Sequence, residues 1–235
     1  MDFIRVRAST DGTQTLSWWT GDVYGWQDGD GPHHLFGFEG LNAARAVQDE
    51  DGWRLLTREA AVYLDPKTRE ILHTWDNPFT GASDEVMHVF NDPVNQRLGH
   101  HQVPTTRLGG QVVFNVDLRL AYPSPLKVAE FPDNSASDTY RSMELFQFFC
   151  TAEDLDSGLA DVPSVFSWCR MSPWLPWMAM GSRPGALVYH CRGGKTEEIP
   201  ERLREHVGEH FLRAPAEWSA PNVTSWTAFA ARARG

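Results

Sequence analysis

The segment Ser142-Met143-Glu144-Leu145-Phe146-Gln147-Phe148-Phe149-Cys150-Thr151 is strongly apolar. Its aromatic content suits a strand. Side chains alternate across a strand, so Met143, Leu145 and Phe149 face one way and Phe146 and Phe148 the other. A strand that is apolar on both faces is covered on both sides. In a barrel one side is the lumen and the other meets a helix or a loop.

The neighbouring segments fit that reading. Gln111 to Leu120, Val165 to Met171 and Ala186 to His190 read as further strands. Ser172 to Gly185 separates the last two and holds Pro173, Trp174, Pro176 and Trp177. Pro123 to Asp138 is loop-like, and Ala152 to Gly158 reads as a turn or a 3₁₀ piece. Towards the N-terminus, Phe3 to Arg7 alternates, Asp11-Gly12 is a hairpin signal, and Thr15 to Tyr24 is the return strand. Gln27 to Pro32 reads as a loop and Leu35 to Phe38 as a short aromatic strand. Trp53 to Leu64, Ile71 to Trp75 and Glu85 to Phe90 follow as strands, punctuated by Asp65-Pro66 and Asn77-Pro78 turns. One helix is predicted over 200–213: Pro200 suits a first helical position, and Leu203, Val207 and Phe211 recur at helical spacing. The expected fold is mainly β (α+β). It is an antiparallel, β-barrel-like sheet with the C-terminal helix packed against it, one domain over residues 1–235.

Composition narrows the function. The net charge is −10, the pI is about 5.3 and no basic run exists, so nucleic acid and anionic membrane surfaces are not expected partners. Three cysteines without a CxxC pair, and no apolar leader at the N-terminus, give a cytoplasmic expectation. Ten Trp and 13 Phe furnish either a large core or an aromatic-lined cavity. Nucleotide-binding, serine hydrolase, zinc protease and EF-hand motifs are all absent.

Polar residues inside apolar strands are the candidates for chemistry. His73 and His88 stand in strand segments, and a histidine serves as acid, base or ligand near neutral pH. His33-His34 and His100-His101 are further histidines; the spacing matches no ligand pattern, and no metal ligand is assigned. Glu39 stands in an aromatic strand, where burial raises a carboxyl pKa; pairing with Arg45 or Arg58 is the structural alternative. Tyr140, Arg141 and Glu144 enter the Ser142 strand, and Arg170 and Tyr189 sit in late strands in the same way. Buried polar groups need partners, so these either pair with one another or line a pocket. Asn91-Asp92-Pro93-Val94-Asn95 makes a turn or aims amides into a cavity mouth.

Several stretches together resemble the bacterial and fungal DUF1838 family. They are Trp18-Trp19-Thr20-Gly21-Asp22-Val23-Tyr24-Gly25, Leu35-Phe36-Gly37-Phe38-Glu39-Gly40-Leu41-Asn42, Tyr63-Leu64-Asp65-Pro66, Trp75-Asp76-Asn77-Pro78-Phe79-Thr80-Gly81, Asn91 to Asn95, and Asn222-Val223-Thr224-Ser225-Trp226. The resemblance covers nearly the whole chain. It implies a domain of unknown function and brings no catalytic residues with it. It also implies that some members bear an export signal, from which this chain departs by starting directly at a strand.

The residues lead to an expected function: a cofactor-independent small-molecule enzyme, a lyase or isomerase that transfers protons on an aromatic or polycyclic hydrophobic substrate. His88, His73, Glu39, Tyr140 and Glu144 are the catalytic candidates. Trp19, Tyr24, Trp75, Phe90, Asn91, Trp168, Arg170 and Tyr189 are the substrate-binding ones. The alternatives are a non-catalytic carrier of hydrophobic ligands and a His-dependent metalloenzyme. No cofactor is expected, the partner is a small hydrophobic or aromatic molecule, and homodimer formation is left open.

Overall fold

The structure, a computed structural model, describes residues 2–27, 29–98, 102–217 and 223–234. Helix α1 (Asp2–Arg7) leads into three long strands, β1 (Gln14–Gln27), β2 (Gly31–Asp49) and β3 (Gly52–Leu64). Five short strands follow: β4 (Thr74–Asp76), β5 (Ser83–Glu85), β6 (Val89–Asp92), β7 (Gln96–Leu98) and β8 (Thr105–Leu108). Then come β9 (Gln111–Pro123), β10 (Thr139–Thr151), helix α2 (Ala152–Asp156), β11 (Val165–Ser172) and β12 (Ala186–Thr196). Helices α3 (Glu201–Val207) and α4 (Ser225–Arg234) end the chain.

All strands but β4 and β5 form one sheet, in the order β6-β3-β2-β1-β12-β11-β10-β9-β8, with β7 on the same side of β3 as β6. Its ladders are antiparallel throughout, as expected. The sheet is not closed into a barrel. The two ends of the order explain why: β6, β7 and β8 are three or four residues long, and β6 pairs with β3 through a register shift. They leave too little ladder to meet. Helix α4 spans the ends instead. The backbone N–H and Oγ of Ser225 donate to Asp92 on β6, and the Trp226 ring meets Tyr140 of β10 edge-on at 5.7 Å.

Register sets the inner face. Ala61, Gly40, Trp19, Gly193, Phe166, Phe148 and Phe114 stand in one row across the sheet. Tyr63, Phe38, Gly21, Cys191, Trp168, Phe146 and Val116 form the next. Gly40 is required by close approach, since a Cβ there would lie 2.3 Å from the Trp19 indole. The Trp-Pro segment covers one end, where Trp177 packs on Phe36, Tyr63 and Trp75. Asn77 fixes that cover by donating from Nδ2 to the Met178 carbonyl at 2.9 Å.

Helix α1 fills the other end. Phe3 packs on Phe114 and Phe148, while Ile4 and Ala8 pack on Ala44, Ala46 and Leu55. The strand predicted over Phe3 to Arg7 is therefore a helix. Its apolar residues serve two faces at helical spacing, and tertiary packing outweighs the alternation. Lys195 ties it down by donating to the carbonyls of Arg5, Ala8 and Val162.

Other boundaries shift for similar reasons. β1 and β2 run further than predicted, which shortens the connection predicted over Gln27 to Pro32. Ile71 to Trp75 contributes a lone bridge from Ile71 to Leu64 and then β4. Glu85 to Phe90 divides between β5 and β6. The helix predicted over 200–213 breaks at Gly208, whose φ is +86°, and resumes as a 3₁₀ turn over Glu209–Leu212. Its Leu203 and Leu212 cover Leu41, Ala60, Val62 and Leu64 on the outer face of β2 and β3. Helix α4 was not legible in the sequence.

Leu203 is fully buried in that outer contact. Truncation to alanine is expected to cost about 2–4 kcal/mol, read as a lower urea midpoint at unchanged slope. A loss under about 1 kcal/mol would show that α3 does not dock as described.

Candidate active site

The inner face is aromatic over two rows and polar on either side of them. On one side, Arg170 of β11 lies beside Glu144 of β10 and Tyr189 of β12 in direct register. Its Nε is 3.7 Å from Glu144 Oε1, its Nη2 donates to the Tyr140 hydroxyl, and its guanidinium lies 5.4 Å from the Tyr189 ring centre. Burial opposes the charge, but Tyr140, Glu144 and Tyr189 outweigh it and keep Arg170 protonated. The Tyr189 hydroxyl is hydrogen-bonded to Tyr63, and burial pushes its pKa up to about 12.

On the other side, Glu59 of β3 stands in register with Asn42 of β2. Asn42 donates to Glu59 Oε1 at 3.1 Å and accepts from Arg7 Nη2 at 2.7 Å. Burial and the nearby charge of Glu144 push the Glu59 pKa up to about 7, against the pull of Arg7, Arg170 and Asn42. Asp92 pairs with Glu59 across β3 and β6, and burial raises its pKa to about 6 despite two hydrogen bonds from Ser225. Glu59 thus feels both Arg170 and Glu144, which the curvature of the sheet brings to it from four and five strands away. Glu144 and Arg170 retain 16% and 26% of their exposure, and Val116, Leu118 and Phe146 stay half-buried, so the cluster remains open to solvent.

Of the residues predicted from the sequence, Tyr140, Glu144, Trp19, Trp168, Arg170 and Tyr189 come together on this face. The others do not. Glu39 lies on the outer face, where it pairs with Arg202 of α3 at 3.1 Å and accepts from Trp18 Nε1 at 3.4 Å. Its partner is Arg202 and not Arg45 or Arg58. Phe90 meets Phe211, and Tyr24 stacks on His34. Trp75 belongs to the core around Phe36. Asn91, at φ +55°, donates to the Val223 carbonyl and so docks the start of α4.

His88 lies outside the cluster. Its Nδ1 accepts from the Tyr63 backbone N–H at 3.1 Å, so the neutral ring carries its proton on Nε2. Burial, and then the His206 ring 4.6 Å away, push its pKa down to about 3. The ring centre of exposed His73 lies 6.5 Å from that of His206. His33 and His34 meet Asp30 and Asp22. His100 and His101 lie outside the described residues, as does Asn222. Among the described residues, no group of three or more His, Cys, Asp or Glu side chains is arranged to hold a metal ion.

The sequence reading missed Glu59, Arg7 and Tyr63. The signal for Glu59 was the one used for Glu39, a carboxylate in an apolar strand. Arg7 was hidden by its assignment to a strand.

Fold and site together define a class: an open, curved antiparallel β domain with a titratable interior. The chain belongs to the DUF1838 family, described as a protein of unknown function, which it matches over residues 12–233. No curated protein matches it. No described helix is long and apolar enough to cross a membrane.

Two outcomes follow from these contacts. Because the folded state raises the Glu59 pKa from 4.5 to about 7, its contribution to stability is full below about pH 4.5 and is lost as pH rises through 7. Glu59→Gln is expected to remove that loss, so its melting temperature exceeds that of the wild type above pH 7 and the gap closes by pH 5; a constant gap would refute the shift. His88→Ala orphans the Tyr63 N–H and is expected to cost about 1–3 kcal/mol. His88→Asn, which restores an acceptor, should recover part of it in the same urea titration.

Proposed function

We propose that the protein is a cofactor-independent lyase or isomerase that moves a proton on an aromatic or polycyclic small molecule bound against the inner face. The observation that carries this reading is Glu59, a carboxyl beside the aromatic rows whose pKa is pushed up to about 7 by burial while it feels the charge of Arg170. A base poised near the working pH combines sufficient ionisation with sufficient basicity. Ionised Glu59 takes the proton from a carbon next to a carbonyl. The C–H bond breaks, its electron pair moves into the carbonyl, and the oxygen becomes an enolate. Arg170 and the Tyr140 hydroxyl supply charge and a hydrogen bond to that oxygen, and such donors are most effective where water is scarce. Return of the proton to another carbon completes an isomerisation. Departure of a leaving group from the β carbon completes an elimination.

Titratable groups converging inside the sheet favour this reading over a carrier, whose lumen needs none. The tautomer of His88 disfavours a metal site built on it, because its Nδ1 lone pair is engaged and its Nε2 holds the proton.

The test is deuterium uptake from D₂O by an aromatic bicyclic ketone such as 2-tetralone, followed by NMR. Wild-type protein is expected to accelerate exchange next to the carbonyl, with a rate that rises with pH and levels above about 7. Glu59→Gln should lose roughly 10²-fold or more, and Tyr140→Phe and Arg170→Lys less. His88→Asn should stay near wild type. Equal exchange by wild type and Glu59→Gln would overturn the assignment.

A further inference from the structure

The unpaired polar atoms of the interior are chiefly donors. Among the described residues, Trp19 Nε1, Trp168 Nε1, Arg7 Nη1 and Arg170 Nε are all buried without a hydrogen-bond partner. A buried donor left unmade costs free energy, so a set of them in one place marks where an acceptor belongs. They are ordered in space. Arg7 is held at the Asn42 row by its bond to Asn42 Oδ1. Trp19 and Trp168 occupy the next two rows, their ring centres 6.0 Å apart, and Arg170 stands in the row beyond.

Arg7 is the decisive member. Its Nη2 donates to a neutral amide, it makes no ion pair among the described residues, and burial works against its charge. The carboxyl whose charge it feels is that of Glu59, bridged to it by Asn42 and with its own pKa raised to about 7. Arg170, in contrast, has Glu144 and Tyr140 beside it. One end of the donor set is therefore a cation short of an anion, and the other is already balanced.

We propose that the substrate of this site is a planar aromatic carboxylate, its carboxylate held by Arg7, its rings against Trp19 and Trp168, and its reacting carbonyl directed to Arg170. This rests on the reading of the inner face as the substrate site. A guanidinium fork matches a carboxylate in plane, and phenols remain uncharged at neutral pH, which favours the carboxylate over other aromatic oxygen groups.

The test compares 2-naphthoate with the neutral, near-isosteric 2-naphthamide by quenching of tryptophan fluorescence. Wild-type protein should bind the acid at least roughly tenfold more tightly than the amide. Arg7→Gln should abolish that preference by weakening binding of the acid more than that of the amide. Glu59→Gln should retain the preference, so loss of proton transfer in that variant and loss of acid selectivity in Arg7→Gln report on different claims. Equal wild-type affinity for acid and amide would overturn the proposal whatever the variants do. So would an acid preference that survives in a folded Arg7→Gln.

Discussion

A guanidinium inside a sheet must be answered, and much of this structure answers Arg170. Its neighbours on both flanking strands, Glu144 and Tyr189, are polar where the rows beside them are aromatic. Tyr140 accepts from it and is in turn wedged between Tyr122 and Trp226, the first carrying the ladder of β9 and the second the final helix. Tyr189 passes the network on to Tyr63, whose backbone is tied to His88. One partly buried charge thereby links both ends of an open sheet to the helix that bridges them. Buried polar networks of this kind are costly when half satisfied and specify a single arrangement when complete.

The same geometry accounts for the family stretches. Asn91 and Asp92 receive the Val223–Ser225 segment, so two stretches far apart in sequence form one joint. Asn95 accepts from the Thr57 N–H and steadies the strand that presents Glu59. Asn77 anchors the Trp-Pro cover, and Gly40 admits the Trp19 indole. Gly37 makes room for the Arg69 guanidinium, which reaches Asp22 at 2.8 Å. Apart from Gly37 and the Arg69–Asp22 pair, which lie on the outer face, these residues shape the interior. The groups suited to chemistry, Glu59, Glu144 and Arg170, lie outside those stretches.

That division explains what could be read in advance. The strands over 111–120, 142–151 and 165–171 were legible because two-sided apolar runs and clean turns leave few alternatives. So were Tyr140, Glu144, Arg170 and Tyr189, each a polar residue in an apolar strand. Pairing order was not legible. Without knowing that β2 lies between β1 and β3, nothing distinguishes Glu39 on the outside from Glu59 on the inside, since both alternate correctly within their own strands. The open seam was equally hidden, because strand length at an edge depends on what competes for it, and α4 competes through Asp92 and Tyr140. His88 was attractive as a titratable ring, but its bond to a backbone amide makes it a prop for β3.

The inner face holds a carboxyl tuned to neutral pH. The direct measurement is a carbon-13 NMR titration of the Glu59 carboxyl, assigned by its disappearance in Glu59→Gln. A midpoint near 7 is the result this account requires. A midpoint near the ordinary glutamate value of about 4.3 would contradict it.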